Sequence, residues 1–113
     1  MENTLDKNKA LELWKLEMKD KEYAYDFSGR KIKKDDYNKE NQVGWVVGYM
    51  KPLELGGKDY DGNTIIMHHT TLEEKGLNYP EFQIMNKTYK IVYDDKEDFY
   101  YIEKTSNDDG GFI

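Results

Sequence analysis

Gly44-Trp45-Val46-Val47-Gly48-Tyr49-Met50-Lys51-Pro52, followed by Gly56-Gly57, Asn63 and His68-His69, is the stretch that decides the fold. Apolar residues run up to Pro52, which cannot donate to a strand ladder and so closes the run. Two glycines turn the chain, and a second β-prone run returns at Thr64-Ile65-Ile66-Met67. Polar residues with helix propensity come next, so residues 44–76 predict strand, loop, strand and helix. Trp45 and Val47 alternate with Val46, which predicts one buried strand face with Tyr49 packed on the same side. His68 and His69 are adjacent, and on a strand they would point to opposite faces. Thr70 or Thr71 is expected to cap the helix through Lys75, with Gly76 as its stop. Leu53 to Gly62 reads as a flexible, glycine-rich tip carrying Lys58, Asp59 and Asp61.

Outward from this centre, residues 5–19 predict an amphipathic helix with Leu11, Trp14 and Met18 on one stripe and Thr4 or Asn3 as its cap. The aromatics of Tyr23 to Ile32, interrupted by Ser28-Gly29, predict a short hairpin or turn. Arg30, Lys31, Lys33 and Lys34 form a basic cluster that Asp35 and Asp36 neutralise at once. Beyond the centre, Phe82 to Met85 and Tyr89 to Tyr93 flank a turn at Asn86-Lys87. A second turn at Asp94 to Asp98 leads to Phe99 to Ile102, which completes a three-stranded meander. Residues 105–113 are expected to form a mobile tail. The expected class is α+β in one domain spanning 1–113, with an N-terminal helix, a central ββα unit and a C-terminal antiparallel meander. Trp14, Trp45, Val47, Ile65, Phe82 and Ile91 are its expected core.

Composition narrows the function classes. The 113 residues suit one domain with a modest core. Hydrophobic content of 37% is low against 35% charged, but ten Tyr, four Phe and two Trp bury much area per residue. The lack of Cys excludes disulfides and thiolate metal sites and fits the cytoplasm. No run reaches the length of a membrane span, and the charged start has no signal-peptide core. Net charge is −6. Residues 1–40 carry ten charges of each sign, whereas residues 81–113 carry eight acids and four bases. A protein that grips DNA phosphates shows the opposite surplus.

The central stretch resembles the ββα-metal core of the HNH endonucleases. The resemblance rests on the strand ending at Pro52, Gly56-Gly57, Asn63 and His68, and extends to Asp26-Phe27-Ser28-Gly29-Arg30, Tyr37-Asn38, Gly44-Trp45, Glu74-Lys75 and Pro80 to Tyr89. It covers Trp14 to Val92. In that family an Asp-His pair ends the first strand, the Asp holding a divalent metal and the His activating water. The Asn orients that His, and a second His is a further ligand. Here Gly48-Tyr49 stands in place of Asp-His. Gly48 offers no ligand, and a phenol with an ordinary pKa near 10 stays protonated at neutral pH. Leu72 also stands where related proteins carry a polar Asn. A lone imidazole at His68 is a poor site for a hard ion.

These departures predict a degenerate site at Gly48, Tyr49, Asn63 and His68, with no catalytic residue and no cofactor; His68 is the one position for a metal if any binds. The resemblance then implies a phage or mobile-element setting and a pseudo-nuclease that binds a protein partner in the host cytoplasm. That partner would be a nuclease or nucleic-acid-binding effector, inhibited in the manner of anti-CRISPR or anti-restriction proteins. Acidic surface suits an enzyme's basic channel, and Asp94, Asp95, Glu97, Asp98 and Tyr100 are the expected contacts. The alternative is a metal-dependent nuclease with a rearranged site, drawing on His68 or His69 and a loop carboxylate from Glu54, Asp59 or Asp61. Direct DNA binding through Arg30 to Lys34 is disfavoured by the charge balance, and no membrane partner is expected.

Overall fold

Asp6 opens the first helix by accepting the Lys9 N–H at 2.8 Å, which satisfies one of the donors a helix start leaves over. The computed structural model describes residues 6–106. Thr4 and Asn3, the expected caps, lie outside the described residues. The fold is α+β: α1 (Lys7–Met18), β1 (Tyr23–Tyr25), β2 (Lys31–Lys33), β3 (Trp45–Tyr49), β4 (Thr64–His68), α2 (His69–Lys75), β5 (Glu81–Ile84), β6 (Lys87–Asp94) and β7 (Phe99–Ser106). Two compact units divide these elements. One takes the chain up to Gly48 together with Ile65–Glu73; the other takes Tyr49–Thr64 and the chain from Glu74 onward.

The first unit is built on two indoles. Ala10, Leu13 and Trp14 are the buried face of α1, and Leu11 and Met18 pack beside them. Trp14 meets Trp45 with ring centroids 4.9 Å apart, and Tyr37 meets Trp45 at 4.8 Å. Each indole N–H donates to a carbonyl, Trp14 to Lys21 at 2.9 Å and Trp45 to Lys34 at 3.2 Å. Two large rings are thus buried without stranding a donor. β1 and β2 form the expected antiparallel hairpin, with Ala24 opposite Ile32 and both in the core. β3 and β4 pair as a two-stranded sheet.

Two expectations for this sheet are corrected. Trp45, Val46, Val47 and Gly48 are all buried, so β3 is covered on both faces rather than one. On β4, Ile66 and Met67 are buried while the expected core residue Ile65 is only half-buried. A run of three apolar residues does not itself fix which one points inward, because the side-chain period is two.

The second unit holds the meander. β5, β6 and β7 are antiparallel in sequence order, and Phe82, Ile84, Tyr89 and Ile91 are buried. Phe82 and Tyr89 are register partners whose rings stack at 5.4 Å. Lys87 pairs with Ile84, so the β5–β6 turn is Met85-Asn86, one residue before its expected place, with Met85 at φ +58°. β7 outruns the expected Phe99 to Ile102, since Ser106 still pairs with Thr88. Thr105 and Ser106 are therefore strand rather than tail, and residues 107–113 lie outside the described residues.

Lys75 ends α2 fully buried, its Nζ 3.4 Å from the Asn78 carbonyl and 5.4 Å from the Phe82 ring centre. Desolvation pushes this ammonium down from 10.5 to about 8. The folded chain thus releases a proton that the unfolded chain keeps, and stability rises with pH between about 8 and 10.5. Lys75→Met should be neutral or stabilising by about 1–2 kcal/mol at pH 7. It should also flatten that rise, read from urea midpoints at pH 7 and pH 10; an unchanged slope would contradict the assignment.

Candidate functional site

The end of β3 leaves no room for a ligand. A Cβ added at Gly48 would stand 2.9 Å from Met67 Cε and 3.2 Å from Leu72 Cδ1. Glycine here is a packing choice, because it lets two apolar side chains close over the strand. Leu72 supplies one of those contacts.

His68 ends β4 and is buried. Its Nδ1 accepts the Thr70 N–H at 3.0 Å, and its Nε2 lies 2.9 Å from the Gln42 carbonyl, to which it must donate. The two bonds fix a neutral ring with its proton on Nε2. Neither nitrogen has a lone pair left for an ion. His69 is the first residue of α2. The chain changes from strand to helix between the two, so the rings do not diverge as a continuous strand would require. They stack with centroids 4.5 Å apart and 29° between planes. His69 Nε2 lies 2.7 Å from the Asn41 carbonyl, and its Nδ1 is buried without a partner.

The polar centre of this unit is Asp26, which the sequence placed in a hairpin and in the resemblance without assigning it a site role. Its Oδ1 accepts the Ser28 N–H at 2.9 Å, the Ser28 hydroxyl at 2.7 Å and the Arg30 N–H at 3.0 Å. Its Oδ2 accepts the His68 N–H at 2.9 Å and the Thr71 hydroxyl at 2.7 Å. The Thr71 proton is spent there, which leaves its oxygen to accept Arg30 Nη1 at 2.9 Å. Arg30 is therefore turned inward rather than part of an exposed basic cluster, and Thr71 is not a helix cap. Lys31 and Lys33 lie over the Tyr23 ring at 4.6 and 5.6 Å. Burial pushes the Asp26 carboxyl up, but the bonds from His68, Ser28, Thr71 and Arg30 outweigh it and hold the group below its ordinary 3.8. The Asp-x-Ser-Gly spacing was the available signal, since an aspartate there bonds the backbone two residues on.

In the second unit, Tyr49 is half-buried and its hydroxyl donates to Asp59 Oδ1 at 2.8 Å. Burial, then the bond and charge of Asp59, push this phenol up to about 12, further from service as a base. Asn63 is fully buried and stitches the preceding loop. Its Oδ1 accepts the Lys51 N–H at 2.8 Å, and its Nδ2 donates to the Lys51 and Lys58 carbonyls at 3.0 and 2.9 Å. Both N–H donors of this amide are spent and its oxygen holds a backbone N–H, so Leu53 to Gly62 is a bonded loop rather than a free tip. A 3-10 turn at Leu53–Leu55 opens it, and another at Asp61–Asn63 leads from it into β4.

The donors at the expected positions do not fit a metal. Gly48 has none, His68 has spent both nitrogens, Asn63 is bonded to backbone, and Asp59 is engaged by a phenol. The unbonded His69 Nδ1 is a single donor. Among the described residues no three His, Asp or Glu side chains are grouped to hold an ion.

The acidic turn divides in two. Asp94 Oδ1 accepts the Lys96 and Glu97 N–H groups at 2.9 and 3.1 Å, while Asp98 Oδ1 accepts the Tyr93 and Tyr60 hydroxyls at 2.7 and 3.1 Å. These two aspartates shape the hairpin. Asp95 and Glu97 are exposed, and Tyr100 is half-buried beside Tyr93. Among the described residues no helix is long and apolar enough to cross a membrane. Comparison with protein-family models, curated proteins and solved structures found no match.

Asp26→Asn replaces an acceptor with an amide that faces donors on both sides. It should cost at least about 2 kcal/mol, since each buried donor left unbonded costs about 1–3 kcal/mol. With a depressed folded pKa, the stability from Asp26 is present above pH 3.8 and is lost as pH falls through the folded value. Acid unfolding of the natural chain should show this loss and Asp26→Asn should not. Equal urea midpoints for the two chains at pH 7 would contradict the role assigned to Asp26.

Proposed function

We propose that the protein is a non-catalytic binding protein on an HNH-like scaffold, engaging a nuclease or nucleic-acid-binding effector of a host defence system. The order β3, β4, α2, with Asn63 and His68 at the expected places, supports the likeness to the HNH core. One observation carries the rest: the groups at the family's catalytic positions are used up by the fold. Metal-assisted hydrolysis needs a held ion and a base with a free lone pair. Gly48, the doubly bonded His68, the stitched Asn63 and the protonated Tyr49 supply neither. The loss of the base alone lowers the rate by about 10²–10⁴.

The binding surface follows from charge and exposure. Asp95 and Glu97 project from the β6–β7 turn, and Tyr93, Phe99 and Tyr101 expose large aromatic area alongside. Aromatics anchor interfaces, and charges set the encounter rate with a basic partner. An effector whose channel binds nucleic acid has the complementary sign.

Purified protein incubated with supercoiled plasmid and Mg²⁺ or Mn²⁺ should leave the plasmid intact. Nicking that disappears in His68→Ala would overturn the non-catalytic assignment. Affinity capture from a host lysate should bring down a nuclease or nucleic-acid-binding complex. Asp95→Lys with Glu97→Lys should weaken that capture about tenfold and reduce its salt dependence. Asp94 and Asp98 are poor probes because their substitution also disturbs the hairpin. Unchanged capture by the double variant would place the interface elsewhere.

A further inference from the structure

The second unit contains a cleft of about 420 Å³ that shares Tyr93 with the binding surface above and adds two lysines to it. That volume lies in the range that holds small molecules. Lys51 and Lys58 line it together with Tyr60, Tyr93, Tyr100 and Asp98. Its two carboxylates are already engaged. Asp98 Oδ1 accepts two phenol protons, from Tyr93 at 2.7 Å and Tyr60 at 3.1 Å, and Asp59 accepts that of Tyr49 at 2.8 Å. Among the described residues neither lysine ammonium is placed in an ion pair, and Lys51 Nζ sits 5.5 Å from the Tyr79 ring centre. Two of the phenols are held neutral: the bond to Asp98, then desolvation, pushes Tyr93 up to about 12, and desolvation, then the same carboxylate, raises Tyr60. The cleft thus offers two lysine cations outside any ion pair, Lys51 near the Tyr79 ring, beside aromatic faces that include the exposed ring of Tyr93.

That combination selects a ligand with an anionic end and a planar ring. Lysine ammoniums serve as point charges for phosphate, and tyrosine faces stack on any nucleobase. We propose that the cleft binds a nucleoside phosphate, with the phosphate on Lys51 and Lys58 and the base against the tyrosines. The proposal does not rest on the HNH-like reading or on the defence-enzyme partner. A quaternary ammonium would be the choice of an aromatic site with a free carboxylate, but here the phenol protons satisfy Asp98 and the lysines oppose a cation.

The test is a ¹H–¹⁵N NMR titration of the full chain with adenosine and thymidine monophosphates, adenosine, inorganic phosphate, tetramethylammonium and a short single-stranded oligothymidylate. A mononucleotide should give saturable shifts at Lys51, Lys58, Tyr60 and Tyr93. Adenosine and phosphate alone should bind at least tenfold more weakly. Lys51→Gln with Lys58→Gln alters only side-chain ends, and it should lose at least tenfold in affinity while keeping the natural spectrum elsewhere. Tighter binding of the oligonucleotide through the same residues would support the chemistry and identify a polymer as the source. Three results would overturn the proposal: no saturable shift with any phosphate ligand, unchanged affinity in the double variant, or preferred binding of tetramethylammonium.

Discussion

A buried carboxylate that accepts five hydrogen bonds holds the first unit in register. Asp26 ties its own turn through Ser28 and Arg30, the end of β4 through the His68 N–H, and α2 through Thr71. A buried charge without partners would be expensive, whereas one surrounded by aimed donors is a rigid joint. The joint fixes where the strand-to-helix transition falls. That transition places His68 and His69 side by side and turns their Nε2 atoms to the carbonyls of Gln42 and Asn41.

The same accounting underlies the proposal that the protein is non-catalytic. A catalytic imidazole or amide needs spare capacity: a lone pair for a proton or ion, or a donor for a developing charge. His68, Asn63 and Tyr49 have that capacity filled by backbone or by a neighbouring carboxylate, at distances of 2.8 to 3.0 Å. Glycine at position 48 completes the pattern by giving Met67 and Leu72 the volume a ligand would fill. Among the described residues, the exterior offers the Asp95 and Glu97 charges, the exposed aromatics Phe99 and Tyr101 of β7 and the lysine-lined cleft for interaction.

Much of this fold was legible from periodicity and turn chemistry. Trp14 and Trp45 declare the first core, Tyr23 to Ile32 its hairpin, and Phe82, Tyr89 and Ile91 the meander, because burial with a fixed period leaves a mark on sequence. Which residues of β4 are buried was less visible. Thr64 to Met67 is apolar throughout its second half, and only contacts distant in the chain decide that Ile66 rather than Ile65 faces in. The Asp26 joint was hidden for the same reason. Its Asp-x-Ser-Gly turn is local, but the His68 and Thr71 partners lie more than forty residues away. On the proposed HNH-like reading, Gly48 and Tyr49 could be read as losses from sequence alone. That His68 and Asn63 are also committed is a matter of geometry, which no spacing reveals.

The central claim is that His68 is a structural ring with both nitrogens spent. A long-range ¹H–¹⁵N spectrum of the histidine side chains at pH 7, recorded with and without Zn²⁺ and Mg²⁺, tests it directly. The account predicts a neutral ring protonated on Nε2, with His68 Nδ1 showing a hydrogen-bonded lone pair and no change on adding either ion. A proton on Nδ1, or a metal-dependent shift of a His68 nitrogen that saturates, would contradict it and return this residue to the role of a ligand.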